Sequence, residues 1–292
     1  MQKSLPFNIY PSKAAPSMSQ ASTTQALTLD KPASAPVRLV QITDCHIYAD
    51  ADTRMRGMNT RHSLEAVCAL IARDRDDFDA LLATGDLSQD GSAESYRYLA
   101  GYLPGLGLPI FWIPGNHDEA AVMADVLVGP LISPARHLLV GAWQVLLLDS
   151  TLPGEVHGRV APAQLEFLDE ALSAYPERHA LVCLHHQALE AGSRWIDEKG
   201  LHRSGEFRQR LEPHRQIRAV LWGHVHQEGQ RSIGGVEWMS TPSTCIQFKP
   251  GIDEFGIDDR APGYRELTLH PDGRVETAVR RADAFDFNLE EN

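Results

Sequence analysis

Residues 39–50 read LVQITDCHIYAD, an apolar run that halts on Asp44 and His46 with Cys45 between them. Side chains of an extended strand alternate between faces, so Asp44 and His46 are expected on one side and Cys45 on the other. A carboxylate oxygen and an imidazole nitrogen on one face, at the end of a buried strand, can share a first-row metal ion. The competing reading is a chance polar pair where a strand leaves the core. What the other strands carry decides between them.

Working outward, VRLVQIT (37–43), ALLAT (80–84), PIFWI (109–113), WQVLLLD (143–149), ALVCL (180–184) and IRAVLW (217–222) are short apolar runs of strand length. Helical patterns separate them. Ser63 is placed to cap a helix carrying Leu64, Val67, Leu70 and Ile71 on one face, Ser92 to cap a second, and Pro162 to open a third over PAQLEFLDEALSAY. From Gly229 onward, GQRSIGGVEWMSTP and YRELTLHPDGRVETAV read as hairpins, the latter turning through Pro271, Asp272 and Gly273. The pattern predicts an α/β chain with strands in more than one sheet and helices outside, forming a single domain over residues 37–292. Residues 1–36, rich in Ser, Ala, Pro and Thr, are expected to be a mobile tail.

The same residue types recur where the strands stop. LLATGDLSQD delivers Asp86 behind a glycine, FWIPGNHDE delivers Asn116 and His117, ALVCLHHQ delivers His185 and His186, and AVLWGHVH delivers His224 and His226. Ligands leaving the same ends of several strands converge on one crevice. Asp44, His46, Asp86, Asn116, His185, His224 and His226 are too many for one ion with an open position. Two divalent ions sharing a carboxylate is the economical arrangement. Such a pair, ~3.5–4 Å apart, holds a bridging hydroxide and clamps a phosphate. Oxygen and nitrogen donors without thiolate suit Mn, Fe, Zn or Mg. The remaining histidines, His62, His137, His157, His179, His202, His214 and His270, are read as surface or structural residues.

A formal charge of −12 argues against a broad nucleic-acid surface, so a bound phosphate needs a local attraction that metal ions would supply. Cys45, Cys68, Cys183 and Cys245 form no CxxC pair, which suits free buried thiols in a reducing compartment. The tail lacks a continuous apolar signal segment, and no run approaches the ~20 apolar residues of a membrane span. A cytoplasmic protein is expected.

The ordered set DxH, GD, GNHD, HH and GHxH, covering residues 38–226, resembles the calcineurin-like metallophosphoesterase superfamily. LLLDS, PERHALVCLHH, GHVHQE, STPSTCIQFKP and APGYRELTLHPDG are similar to the bacterial class III cyclic-AMP phosphodiesterases, extending the likeness to about residue 280. This resemblance implies a four-layer αββα sandwich with two mixed β-sheets. It implies one metal on Asp44, His46, Asp86 and His226, a second on Asp86, Asn116, His185 and His224, with Asp86 bridging and Fe or Mn the favoured ions. It further implies that His117 faces the phosphate and stabilises or protonates the departing 3′ oxygen, and that His46, Asp86, Asn116 and His117 contact the substrate.

The implied activity is hydrolysis of 3′,5′-cyclic AMP to 5′-AMP. The alternatives are 2′,3′-cyclic nucleotides or other small phosphodiesters and, more remotely, a non-catalytic scaffold. Expected partners are the small-molecule cyclic nucleotide and, with oligomeric state open, a second copy in a homodimer; nucleic acid and membrane are not expected. Two departures stand out. Gln187 and Ala188 follow the HH pair where the family commonly has proline, which leaves both His185 and His186 open as ligand, with His185 preferred. Asp90 is the candidate for an acidic residue that orients the site histidine, against the reading of an exposed turn carboxylate. STPSTCIQFKP is assigned to the substrate pocket without individual contacts.

Overall fold

The computed structural model describes residues 26–290. Every central strand is apolar on both faces because each is covered twice. In Val37–Ile42, Leu39 faces one core while Val40 and Ile42 face another; in Ile217–Trp222, Ala219 and Leu221 oppose Val220 and Trp222 in the same way. This is the signature of strands buried between two layers.

A six-stranded sheet runs in the order Val275–Arg281, Gly263–Leu269, Val37–Ile42, Ala80–Thr84, Ile110–Ile113, Ile132–Ser133. A seven-stranded sheet runs Leu27–Leu29, His137–Val140, Trp143–Leu147, His179–Cys183, Ile217–Trp222, Val236–Ser240, Gly229–Ile233. Their inner faces meet in a core containing Leu39, Leu82, Phe111, Trp143, Leu181, Leu221 and Met239. Helices Thr60–Ile71, Ala93–Tyr102 and Ala120–Val126 cover the outer face of the six-stranded sheet, and Pro162–Ala174 and Ser204–Leu211 that of the seven-stranded one. The architecture is therefore helix, sheet, sheet, helix, with mixed sheets, as the sequence predicts.

The two hairpins form as read, Gly229–Ile233 with Val236–Ser240 and Gly263–Leu269 with Val275–Arg281. Ser92 accepts from Ser95 N–H as an N-cap and Pro162 occupies the first turn of its helix. Ser63 does not cap: the helix begins at Thr60, and Asn59 accepts from His62 N–H while Ser63 Oγ donates to Thr244 O. The expected start of ordered structure at Val37 is also corrected. Leu27–Leu29 pairs in parallel with Leu138–Val140 and adds an edge strand that burial of Leu29 stabilises; residues 1–25 lie outside the described residues.

At the inter-sheet layer, Gln41 breaks the apolar pattern. It donates to Thr84 Oγ1 at 2.7 Å and accepts from Thr241 Oγ1, which in turn accepts from the buried Arg265. This polar clasp joins the two sheets just beneath the strand ends and satisfies groups that burial would otherwise leave unpaired. No helix among the described residues is long and apolar enough to cross a membrane.

Candidate metal centre

Three adjacent parallel strands of one sheet, Val37–Ile42, Ala80–Thr84 and Ile110–Ile113, end beside two adjacent parallel strands of the other, His179–Cys183 and Ile217–Trp222. The loops leaving those ends carry all the sequence-proposed residues. Asp44 Oδ1 lies 3.2 Å from His226 Nε2, His46 Nε2 lies 3.1 Å from His226 Nε2, and Asp86 Oδ2 lies 3.3 Å from His185 Nε2 and 3.8 Å from His46 Nε2. The His185 and His224 rings are 5.1 Å apart. Asp86 belongs both to a cluster with Asp44 and His185 and to one with His46 and His117.

The expected cause of the DxH pairing is corrected. The strand stops at Ile42, and Asp44 and His46 adopt left-handed backbone with φ of 53° and 47°; Asp86, His224 and His226 do the same at 49°, 66° and 47°. The pairing thus comes from turns just past the strand rather than from strand alternation. Asp44 N–H donates to Gly85 O and His46 N–H to Asp86 O, both at 2.9 Å, which zips the first two loops together. Glycine is required where these loops touch. Gly85 has φ of 93° and a Cβ there would strike the His185 ring, and a Cβ at Gly223 would overlap Thr43 Oγ1 and the Asp44 carboxylate.

The histidine tautomers are fixed by carbonyls and an amide oxygen that can only accept. His46 Nδ1 donates to Gln89 Oε1 at 2.7 Å, His185 Nδ1 to Thr84 O at 2.9 Å, and His226 Nδ1 to Ile246 O at 2.8 Å, which turns each Nε2 toward the cluster. His224 is reversed: Nε2 donates to Lys199 O at 3.2 Å, leaving Nδ1. His186 differs from all four. Its Nε2 donates to Val156 O and its Nδ1 accepts from Ser150 Oγ, so both nitrogens are engaged, while His185 Nε2 is buried without a hydrogen-bond partner.

Burial opposes charge on every group here, and the signs show which win. Burial alone would raise the Asp86 carboxyl, but His185 and His46 outweigh it and hold it well below the usual range; Asp44 is held down likewise by His226. Burial would lower His185, yet Asp86 and Asp44 raise it to about 9. Burial keeps His46 neutral, down to about 4, and His186 down to about 3; His224 falls well below the usual range. Neutral imidazoles and ionised carboxylates are the forms that bind metal, so His185 must give up a proton when an ion binds.

Asn116 Oδ1 is buried with no hydrogen-bond partner, a second orphaned donor atom beside that of His185. A buried polar atom without a partner costs ~1–3 kcal/mol, a cost that coordination to a cation offsets. The residues present therefore fit divalent metal ions, and Asp86 is common to two of the candidate clusters. His117 stands at the exposed rim, its N–H on Asp86 Oδ1 at 2.8 Å and its ring 5.0 Å from that of His46.

Three residues escaped the sequence reading. Gln89 accepts from His46 and donates from Nε2 to His117 Nδ1 at 3.2 Å, the orienting position offered to Asp90. Asp90 instead closes its own turn, accepting from Ala49 N–H, Ser88 and Ser92. Asp118 accepts from the N–H groups of Leu87, Ser88 and Gly115 and from Tyr96 Oη, stapling the Asp86 loop to the Asn116 loop; burial and then Asp86 raise it to about 7. Its position at the end of GNHD was the available signal. Cys45 turns into the helix-side core, as expected, but Cys245 lies beside His46 and His226. Burial pushes its thiol up and outweighs the hydrogen bond that Ser243 Oγ donates to it at 3.0 Å, so it stays protonated as packing.

The comparisons extend this beyond geometry. The calcineurin-like phosphoesterase family profile matches residues 37–228. The 3′,5′-cyclic adenosine monophosphate phosphodiesterase CpdA of Haemophilus influenzae is 43% identical over 258 residues, covering 87% of this chain and 94% of that protein. Its namesake from Pseudomonas aeruginosa is 43% identical over 256 residues, covering 88% and 94%. Among solved structures, the purple acid phosphatase PPD1 of yellow lupin superposes with a TM-score of 0.65 at 15% identity over 88% of this chain and 54% of that one, a likeness of fold. With two packed mixed sheets, a shared crevice of Asp, His and Asn at their ends and a profile match over most of its length, this chain belongs to the calcineurin-like phosphoesterase family.

Proposed function

We propose that the chain is a dinuclear metal-dependent phosphodiesterase that hydrolyses 3′,5′-cyclic AMP to 5′-AMP. The observation that carries the chemistry is the convergence of Asp44, His46, Asp86, His185 and His226 with the orphaned Asn116 Oδ1. The relatives named above, matched over 94% of their length, supply the substrate. In this reading Asp44, His46, Asp86 and His226 hold one ion and Asp86, Asn116, His185 and His224 the other. Fe or Mn is favoured, and Zn or Mg fits the same donors. Two such ions supply Lewis acidity at the phosphate and lower the pKa of water.

The chain's own residues do the rest. Gln89 donates to His117 Nδ1, so a neutral His117 carries its proton on Nε2. Water adds at phosphorus and gives up one proton as the P–O3′ bond breaks; that proton ends on O3′, while His117 Nε2–H donates a hydrogen bond to the charge developing on O3′ and keeps its own proton. The backbone N–H of His117 on Asp86 Oδ1 couples this rim residue to the shared carboxylate. His46, Asp86, Asn116 and His117 line the approach to the scissile bond.

The test is chelator-stripped full-length protein reloaded with Mn²⁺ or Fe²⁺ and assayed on 3′,5′- and 2′,3′-cyclic AMP. Release of 5′-AMP with a clear kcat/KM preference for the 3′,5′ diester is expected. Cyclic AMP left intact by metal-loaded protein, or a preference for the 2′,3′ isomer, overturns the assignment.

A further inference from the structure

Beside the metal cluster, three aromatic residues gather without having been assigned a role. Phe248 stacks on the imidazole of His226 with ring centroids 4.0 Å apart and planes 8° from parallel. Trp195 meets Phe248 edge to face at 4.9 Å, and Phe255 meets Trp195 at 5.1 Å and Phe248 at 5.6 Å. All three are half-buried, so the cluster is a packed corner with one side open. Two exposed cations lie over it, Lys199 Nζ 5.0 Å from the Trp195 ring and the Arg56 guanidinium 5.4 Å from that of Phe255.

The segments that build this corner also hold metal histidines. Lys199 O accepts from His224 Nε2, and Ile246 O accepts from His226 Nδ1. Gly251 N–H donates to Ser193 Oγ, tying the 193–199 segment to the 246–255 segment. The aromatic corner is therefore fixed relative to the candidate ligands, one ring removed from the metal cluster. That separation suits a substrate whose planar base is joined to its phosphate through one sugar. Packing at the edge of the adjoining core accounts for Trp195 and Phe248, but not for Phe255, which belongs to neither neighbouring cluster, or for two cations over the rings in a chain of net charge −12.

Resting on the cyclic-nucleotide reading, we propose that Phe255 and Trp195 form the surface on which the base of the bound nucleotide stacks. They are specificity-determining residues and take no part in the phosphoryl chemistry. Phe248, which orients His226, backs them from the metal side. Stacking of this kind accepts any base and distinguishes nucleotides from base-free sugar phosphates.

The experiment compares 5′-AMP with ribose 5-phosphate as ligands of the Mn²⁺-loaded full chain, by calorimetry and by inhibition of cyclic AMP hydrolysis. The wild type is expected to bind 5′-AMP roughly 10- to 100-fold more tightly. Phe255→Leu, which keeps apolar bulk without a ring face, should shrink that ratio severalfold while ribose 5-phosphate affinity stays within twofold. Phe255→Tyr should restore the ratio, and Trp195→Leu repeats the comparison from the other ring. A ratio unchanged in both leucine variants, or near one in the wild type, overturns the proposal. If the wild type spares cyclic AMP but the calorimetric ratio responds as described, the functional reading fails and the base-binding surface stands.

Discussion

Gln89→Ala isolates a residue that touches two site histidines and no candidate metal position. Its Oε1 accepts from His46 Nδ1 at 2.7 Å and its Nε2 donates to His117 Nδ1 at 3.2 Å. Each bond is worth about 0.5–1.5 kcal/mol net, so removing both costs about 1–3 kcal/mol. At about 1.36 kcal/mol per decade, kcat/KM should fall roughly 5- to 150-fold. Gln89 is only partly buried, and water can replace some of what is lost, which favours the lower half of that range.

The two bonds have separable consequences. Without the first, His46 can swap its ring proton between nitrogens, and metal affinity weakens, as is typical when a partner behind a ligand is removed. Without the second, His117 can present Nε2 unprotonated, and kcat falls at saturating metal. A double-mutant cycle with His117→Ala divides them: in that background, Gln89→Ala should retain only the His46 share and vanish in kcat when Mn²⁺ is saturating. Initial rates over a metal titration give both numbers. Gln89→Ala within twofold of wild type at limiting and saturating metal, or a kcat effect of full size in the His117→Ala background, would refute the orienting role.

His117→Ala should lower kcat by roughly 10²- to 10⁴-fold with both metals retained by elemental analysis, because the residue acts on the departing oxygen rather than as a ligand. The pH dependence of metal capture follows from His185. Below its metal-free value of about 9 the ring is protonated, so each unit of rising pH should strengthen binding by up to tenfold and calorimetry at pH 7 in buffers of different ionisation heat should show a proton released. The same raised value means that His185 stabilises the metal-free fold fully below pH 6.5 and loses that contribution as pH rises to about 9, a decline that apo urea titrations would show against a site-neutral His185→Gln control. Gly223→Ala, which forces a methyl against Thr43 and Asp44, should cost about 1–3 kcal/mol, read as a Tm lowered by roughly 2–12 °C.

The layered fold was legible because its strands are buried on both faces. Runs such as ALLAT and IRAVLW carry the pattern of a strand covered twice, and the ligands fall within a few residues of their ends. Leu27–Leu29 was hidden because three residues at a sheet edge hardly alter the composition of a Ser- and Pro-rich segment. The helix start at Asn59 was missed because Ser63 matches a capping residue just as well locally; only tertiary contact sends its hydroxyl to Thr244. Gln89 and Cys245 were invisible for a related reason, and of Asp118 only its place in GNHD was legible, not what it holds. Their partners lie elsewhere in the chain, His46 and His117 for Gln89, Leu87 and Ser88 for Asp118, and His46 for Cys245, so local spacing carries no signal of these contacts.

The left-handed residues explain why these particular side chains stand at the strand ends. A side chain within a strand points perpendicular to its sheet, so residues such as Leu39 and Val40 can reach only the cores above and below. A crevice beyond the ends of two sheets is reached only by residues that leave extended backbone. Asp44, His46, Asp86, His224 and His226 do so within four residues of the last strand position, five of the seven non-glycine left-handed residues among those described. Each costs roughly 1–2 kcal/mol, comparable in total with the stability of a whole domain, so the flanking pairing and the two cores must hold them. Asp, Asn and His are the non-glycine residues most often found in this conformation. The amino acids that best tolerate the turn are the ones that supply oxygen and nitrogen to a metal, and one choice of residue therefore meets both the backbone's requirement and the ion's.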